Sequence, residues 1–169
     1  NIISSDDRGV IGGLAGRTIG TSIKNSFSTA RVAGREKTGG LVGILDGNSS
    51  IVNSYAMGYV SGTNEVGGLV GQLSSSISNS FATGLVTANT FVGGLVGRSN
   101  GSASISNSYH DSESSGRSGG QTTAQLQSGS LPTGFDASIW GVGSGLYPYL
   151  KAFHLAAPQA IVGAAYGAD

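Results

Sequence analysis

The residue types of a hydrolase triad stand side by side in His110-Asp111-Ser112, with His154 the other of the two histidines. Adjacent residues of an extended chain face opposite ways, so the tripeptide cannot form a triad by itself and reads as a capping turn. The nine carboxylate side chains are Asp6, Asp7, Glu36, Asp46, Glu65, Asp111, Glu113, Asp136 and Asp169. A glycosidase needs two of them about 5–9.5 Å apart across a cleft. Glu36 and Glu65 each lie shortly before a leucine in comparable settings, which predicts a stacked and solvated pair at a turn. Asp6-Asp7 is the one acidic pair that would touch a cation, and solvation is the plainer reading. Calcium-binding rolls use a G-G-x-G-x-D nonapeptide, which this chain lacks, and Asp46-Gly47-Asn48 is a turn signal. A phosphate loop needs G-x-x-x-x-G-K-[ST], whereas Lys37-Thr38 precedes its glycine, Gly39. With no cysteine, thiolate nucleophiles, thiolate metal sites and disulfides are excluded. The outward serines form no regular Thr-x-Thr row of the ice-binding kind. No catalytic, cofactor or metal site is expected.

Composition points the same way. Charged residues are 11% of the 169, against about 25% in ordinary domains, and nine Lys and Arg balance nine Asp and Glu. A nucleic-acid binder carries a basic stripe; here the densest basic run is Arg31, Arg35 and Lys37, which reads as a solvated turn. Thirty glycines without a three-residue period exclude collagen. No apolar run reaches the length of a membrane helix. The start at Asn1, without Met or leader, suggests a processed product or a piece of something longer.

The elements that place these residues are repeats. Gly13-Leu14-Ala15-Gly16 recurs as Gly40-Leu41-Val42-Gly43, Gly68-Leu69-Val70-Gly71 and Gly94-Leu95-Val96-Gly97, in steps of 27, 28 and 26 residues. A second block follows each: Asn25-Ser26-Phe27, Asn53-Ser54-Tyr55, Asn79-Ser80-Phe81 and Asn107-Ser108-Tyr109. Ile23, Ile51, Ile77 and Ile105 lie two residues before the Asn, and Val32, Val60 and Val86 five after the aromatic. Ile, Asn and aromatic then share one strand parity and Ser takes the other. One such unit cannot bury its apolar face alone, but stacked units cover each other at about 4.8 Å spacing. The prediction is columns: Leu14, Leu41, Leu69 and Leu95; Ile23, Ile51, Ile77 and Ile105; an inward amide ladder of Asn25, Asn53, Asn79 and Asn107; and Phe27, Tyr55, Phe81 and Tyr109. Paired glycines such as Gly67-Gly68 would serve positive φ or close backbone approach at a corner.

The G-L-V-G block with the downstream N-S-F-A-T-G block, clearest in Val66–Gly71 and Asn79–Gly84, resembles the GLUG repeat. The tail, through Thr122-Thr123-Ala124-Gln125-Leu126, Gly134-Phe135-Asp136, Ile139-Trp140 and Tyr147-Pro148-Tyr149-Leu150, resembles the segment that follows such repeats. The family occurs in large secreted bacterial surface proteins, including filamentous-haemagglutinin-like exoproteins of two-partner secretion, and has no common activity to carry over. The first and fourth units depart from the pattern, as terminal repeats do.

The fold expected is all-β: a parallel β-helix, or β-solenoid, of about four coils of 26–28 residues with a C-terminal capping segment. Residues 1–112 form the solenoid, 113–133 a Ser/Gly-rich connector, and 134–169 a cap and tail in which Trp140, Tyr147 and Tyr149 cover the open face of the last coil. The small apolar stretch 156–165 ends as a loose terminus or a docked strand. The function expected is that of a non-catalytic structural or adhesive segment of a secreted, extracellular bacterial surface protein. Its expected partner is another copy of itself, stacked head to tail, without nucleic acid. Two rivals stand beside this reading. One is a glycan- or host-binding module using Tyr59, Phe91 and Tyr166, and the other a polysaccharide-degrading β-helix.

Overall fold

The structure is a computed structural model and describes residues 1–3 and 9–154. Asp6, Asp7, Tyr166, Asp169 and the stretch 156–165 lie outside the described residues.

The chain winds in short strands. After β1 (Ile2–Ile3), the first coil comprises β2 (Ile11–Gly12), β3 (Ala15–Ile19), β4 (Ser22–Lys24), β5 (Phe27–Ser28) and β6 (Val32–Ala33). The second repeats this as β7 (Thr38–Gly39), β8 (Val42–Asp46), β9 (Ser50–Val52), β10 (Tyr55–Ala56) and β11 (Val60–Ser61). The third is β12 (Asn64–Gly67), β13 (Val70–Leu73), β14 (Ser76–Ser78), β15 (Phe81–Ala82) and β16 (Val86–Thr87). The fourth is β17 (Thr90–Gly93), β18 (Val96–Ser99), β19 (Ser104–Ser106) and β20 (Tyr109–His110). A single helical turn, α1 (Thr123–Leu126), and an antiparallel hairpin of β21 (Trp140–Gly143) and β22 (Leu146–Leu150) follow.

Equivalent strands pair parallel into five stacks, so the molecule is a β-solenoid of about four turns. Register is one-to-one. Ile23 faces Ile51, Ile51 faces Ile77 and Ile77 faces Ile105. Val32, Val60 and Val86 form another column, extended below by Ile2. Of the leucines, Leu41 and Leu69 are fully buried and Leu95 nearly so, while Leu14, on the first coil, is 53% exposed. Ile23, Ile51, Ile77, Leu41, Leu69, Leu95, Val42, Val70, Ala56 and Ala82 belong to one buried cluster, and Ile11, Val32, Val60, Val66 and Val86 make a second; Ile105, on the last coil, is 45% exposed.

Two features differ from the sequence reading. The asparagines do not form an inward amide ladder. Asn25, Asn53, Asn79 and Asn107 all adopt left-handed backbone, with φ of 48°, 50°, 50° and 44°, and turn the chain at the same corner of every coil. Asn tolerates that region better than other side chains bearing a Cβ, which explains its recurrence. Only Asn107 Nδ2 to Asn79 Oδ1, at 3.4 Å, links two of the amides, and Asn53 Oδ1 is buried without a partner. The corner also breaks the period of two: Ile51 and Ala56 share one cluster, while Tyr55 and Phe81 belong to another.

The serine, not the asparagine, makes the polar ladder. Ser54 and Ser80 are fully buried. Ser54 Oγ accepts from Ser26 N–H at 3.1 Å, Ser80 Oγ from Ser54 N–H at 3.1 Å, and Ser108 Oγ from Ser80 N–H at 3.2 Å. Each hydroxyl donates to the carbonyl two residues back, in Ser54 to Val52 O at 2.9 Å. A corner amide that the strand ladder cannot reach is thereby paired with the next coil. The paired glycines serve close approach, not positive φ: a Cβ on Gly68 would lie 2.1 Å from Gly94 O.

Candidate functional site

The aromatic column faces away from the isoleucines and is roofed by the C-terminal segment. Phe27, Tyr55 and Phe81 stack at 5.0 and 5.1 Å with interplanar angles of 12° and 11°. Tyr109 leans instead to Phe135, at 6.2 Å, and its hydroxyl donates to Thr133 O. Phe135, Trp140 and Leu150 complete the buried cluster over Tyr55 and Phe81. The cap therefore lies along the flank of the stack, where the rings present a continuous apolar wall, and not over the open face of the last coil. Trp140 is buried in this seam with Nε1 unpaired, and Tyr147 stacks near Phe81 at 6.4 Å. Tyr149 meets His154 edge-on, at 5.1 Å. Tyr55, Met57, Leu146, Tyr147, Tyr149 and His154 line a cleft of about 240 Å³ between wall and hairpin. Burial raises the Tyr55 phenol above its usual range.

One carboxylate fastens this roof to the coils. Asp111, with no exposed surface, accepts from the backbone N–H groups of Glu113 (2.9 Å) and Ser114 (3.0 Å) through Oδ1. Its Oδ2 accepts from Thr123 Oγ1 (2.7 Å) and Tyr147 Oη (2.5 Å). Burial works to raise its pKa. The hydrogen bonds from Tyr147, Thr123 and the two amides outweigh that and hold the carboxyl below the ordinary carboxylate range. Burial, and donation to Asp111, push the Tyr147 phenol up. The neighbours predicted as a capping turn go separate ways. His110 Nε2 lies 3.2 Å from Arg117 O, and Ser112 Oγ donates to Gln121 O at 3.1 Å. Nothing in this arrangement activates Ser112 as a nucleophile, because neither His110 nor Asp111 hydrogen-bonds its hydroxyl.

The other acidic candidates are offset by one residue from the expected Glu36–Glu65 stack. Val66 pairs with Thr38 and Val92, which sets Glu65 beside Lys37 and Phe91. Glu65, 4% exposed, accepts from Arg98 Nη1 at 3.0 Å and lies 3.8 Å from Lys37 Nζ. Glu36 takes Asn64 Nδ2 at 3.1 Å. This is a charge-balanced ladder. Arg98 also covers the exposed Phe91 ring at 4.9 Å, and Tyr59 lies under Arg31 at 4.7 Å. Among the described residues no group of three or more His, Asp or Glu side chains is gathered as a metal site, and no helix is long and apolar enough to cross a membrane.

Sequence reasoning missed Ile2, the serine ladder and the Asp111–Thr123–Tyr147 junction. The serines were legible as a repeated position. The junction was not, because its partners lie 12 and 36 residues away.

The model of the GLUG motif matches residues 7–33 and 62–90. No curated protein and no solved structure matches the chain. The two matched stretches carry the first coil and the third. The second coil repeats all five strands and the fourth repeats four of them, in one-to-one register, so the chain is a GLUG-repeat protein.

Proposed function

We propose that the chain is a non-catalytic structural or adhesive segment of a secreted bacterial surface protein, a short rod whose contribution is shape. The observation that carries this reading is that the residues repeated in every coil are those that form columns and corners. The polar cluster around Asp111 is spent on joining the cap to the coils, and the one around Glu65 on balancing its charge with Lys37 and Arg98. Such a ladder fixes the chain locally, since each coil contacts only its neighbours. A serine- and glycine-rich chain with few charged residues and no net charge suits a location outside the cell.

Immunogold labelling of intact cells of the encoding organism tests it, alongside turnover assays on a panel of polysaccharides. Label on the exterior and no turnover are expected. Label that appears only after lysis, or turnover abolished by a single substitution, overturns the reading. A second reading, glycan binding, is favoured by one observation: Tyr55, Tyr147, Tyr149 and His154 present rings to one cleft. Sugar rings stack on such faces, and a glycan array on which Tyr149→Ala removes the signal would establish it.

A further inference from the structure

The geometry points to residues 111–121 as a stop that keeps a second copy of this chain off the C-terminal end of the stack. The register rules say what would dock there. The next coil of any continuing solenoid would place Ile11 over Val92, Ile23 over Ile105, Ser26 over Ser108 and Phe27 over Tyr109, as each coil does on the one before. The N-terminal end of another copy carries those residues on its outermost strands, β2 to β5. Both ends show the apolar surface that such stacking would bury: Leu14 is 53% exposed on one and Ile105 45% on the other. Open strand edges of this kind template further pairing unless something covers them.

Two of the five positions at the C-terminal end are already filled by the chain itself. Gln121 pairs parallel with Asp111, donating to His110 O at 3.0 Å and accepting from Ser112 N–H at 2.8 Å. Gly120 lies so close over His110 that a Cβ on it would fall 2.2 Å from His110 O. That is the place Ser28 of an incoming copy would need, one residue after Phe27. On the neighbouring stack, Val86 N–H donates to Ser115 O at 3.3 Å and Arg117 Nη2 to Val86 O at 3.1 Å. The incoming β1, which lies against Val32 and Ala33 in its own copy, would need that position. The expected head-to-tail stack therefore meets backbone at two places and finds room only at β17, β18 and β19. The Asp111 carboxylate pins the segment at its root, through Glu113, Ser114, Thr123 and Tyr147. The inference rests on slot geometry alone and stands whether or not the protein is a surface rod.

The test is to unseat the stop. Gly116, at φ of 67°, carries backbone that a β-branched residue opposes, and at Gly120 a side chain would collide with His110. The wild-type chain should sediment as a monomer at all concentrations. The Gly116→Val, Gly120→Val variant should show a weight-average mass that climbs with concentration, and rods by electron microscopy. Adding Leu14→Lys, at the opposite end and already exposed, should return it to monomer. Three results overturn the inference: rods from the wild type, a folded double variant that stays monomeric, or rods that survive Leu14→Lys. If the double variant loses its β circular dichroism, hydrogen exchange on the native chain decides. Slow exchange at the Ser112 and Gln121 amides supports a closed stop, and exchange at the free-peptide rate overturns it.

Discussion

Replacing Ser80 with alanine should destabilise the protein far more than the same change at Ser26, although the two serines occupy equivalent corners. Ser80 Oγ accepts the Ser54 amide at 3.1 Å and donates to Ser78 O at 2.8 Å, and both Ser80 and Ser54 are fully buried. Truncation leaves the Ser54 N–H buried without an acceptor, which costs about 1–3 kcal/mol, and removes a second hydrogen bond with a net worth of about 0.5–1.5 kcal/mol. The sum is about 1.5–4.5 kcal/mol. Ser26 Oγ donates to Lys24 O at 2.8 Å in an exposed setting on the first coil. Its loss should cost at most about 1 kcal/mol, because water can take over the carbonyl. Equilibrium urea denaturation of the two variants measures the difference directly. Equal costs at Ser26 and Ser80, or a Ser80→Ala loss as small as that of an ordinary surface substitution, would refute the ladder argument.

Two more outcomes follow from the corners and the cap. Asn79→Ala should lose about 1–2 kcal/mol from forcing an alanine into left-handed backbone, whereas Asn79→Gly should stay close to wild type in thermal denaturation. An amide ladder would make both changes equally costly. The depressed Asp111 pKa means that the unfolded chain binds its proton at higher pH than the folded chain does. Its stabilisation is complete above the ordinary Asp pKa of about 3.9 and is lost as pH falls through the lower folded value. Asp111→Asn should therefore lower stability at neutral pH and flatten the acid limb of the stability–pH curve. A variant whose acid limb matches the wild type would contradict the role assigned to this carboxylate.

How far the sequence could be read depended on whether an interaction repeats. The stacked isoleucines, valines and aromatics were legible because each column writes the same residue type at a 26–28-residue step. The direction of the aromatics was not. Period-two alternation holds only within one strand, and the left-handed Asn at each corner resets it, turning Phe81 outward to Trp140. The same blindness moved the polar ladder from Ser to Asn. The Glu36–Glu65 stack failed by one residue, because the two lie 29 residues apart while the coil between them steps by 28, which puts Lys37 beside Glu65. The cap was visible as a cluster of aromatics, but its seat on the flank follows from the wall of Tyr55 and Phe81, which the wrong parity had hidden. The filled positions over His110 and Val86 carry no repeat signature at all. They arise where Gly119 and Gly120 carry the chain back over His110, and only the three-dimensional register exposes them.

In-register stacking is tested most directly by a pair of cysteines in a chain that has none of its own. Ser76 and Ser104 face each other on adjacent coils and both are exposed. Directly opposed strand residues lie within the roughly 4.4–6.8 Å Cα separation that a disulfide spans. Mild oxidation of Ser76→Cys, Ser104→Cys should therefore close the bond, read as a mass loss and a shifted band without reductant. The pair Ser76→Cys, Ser106→Cys, displaced by two residues along the strand, should stay reduced under the same conditions. Equal cross-linking of both pairs, or of the displaced pair alone, would contradict the stacked coils on which the account is built.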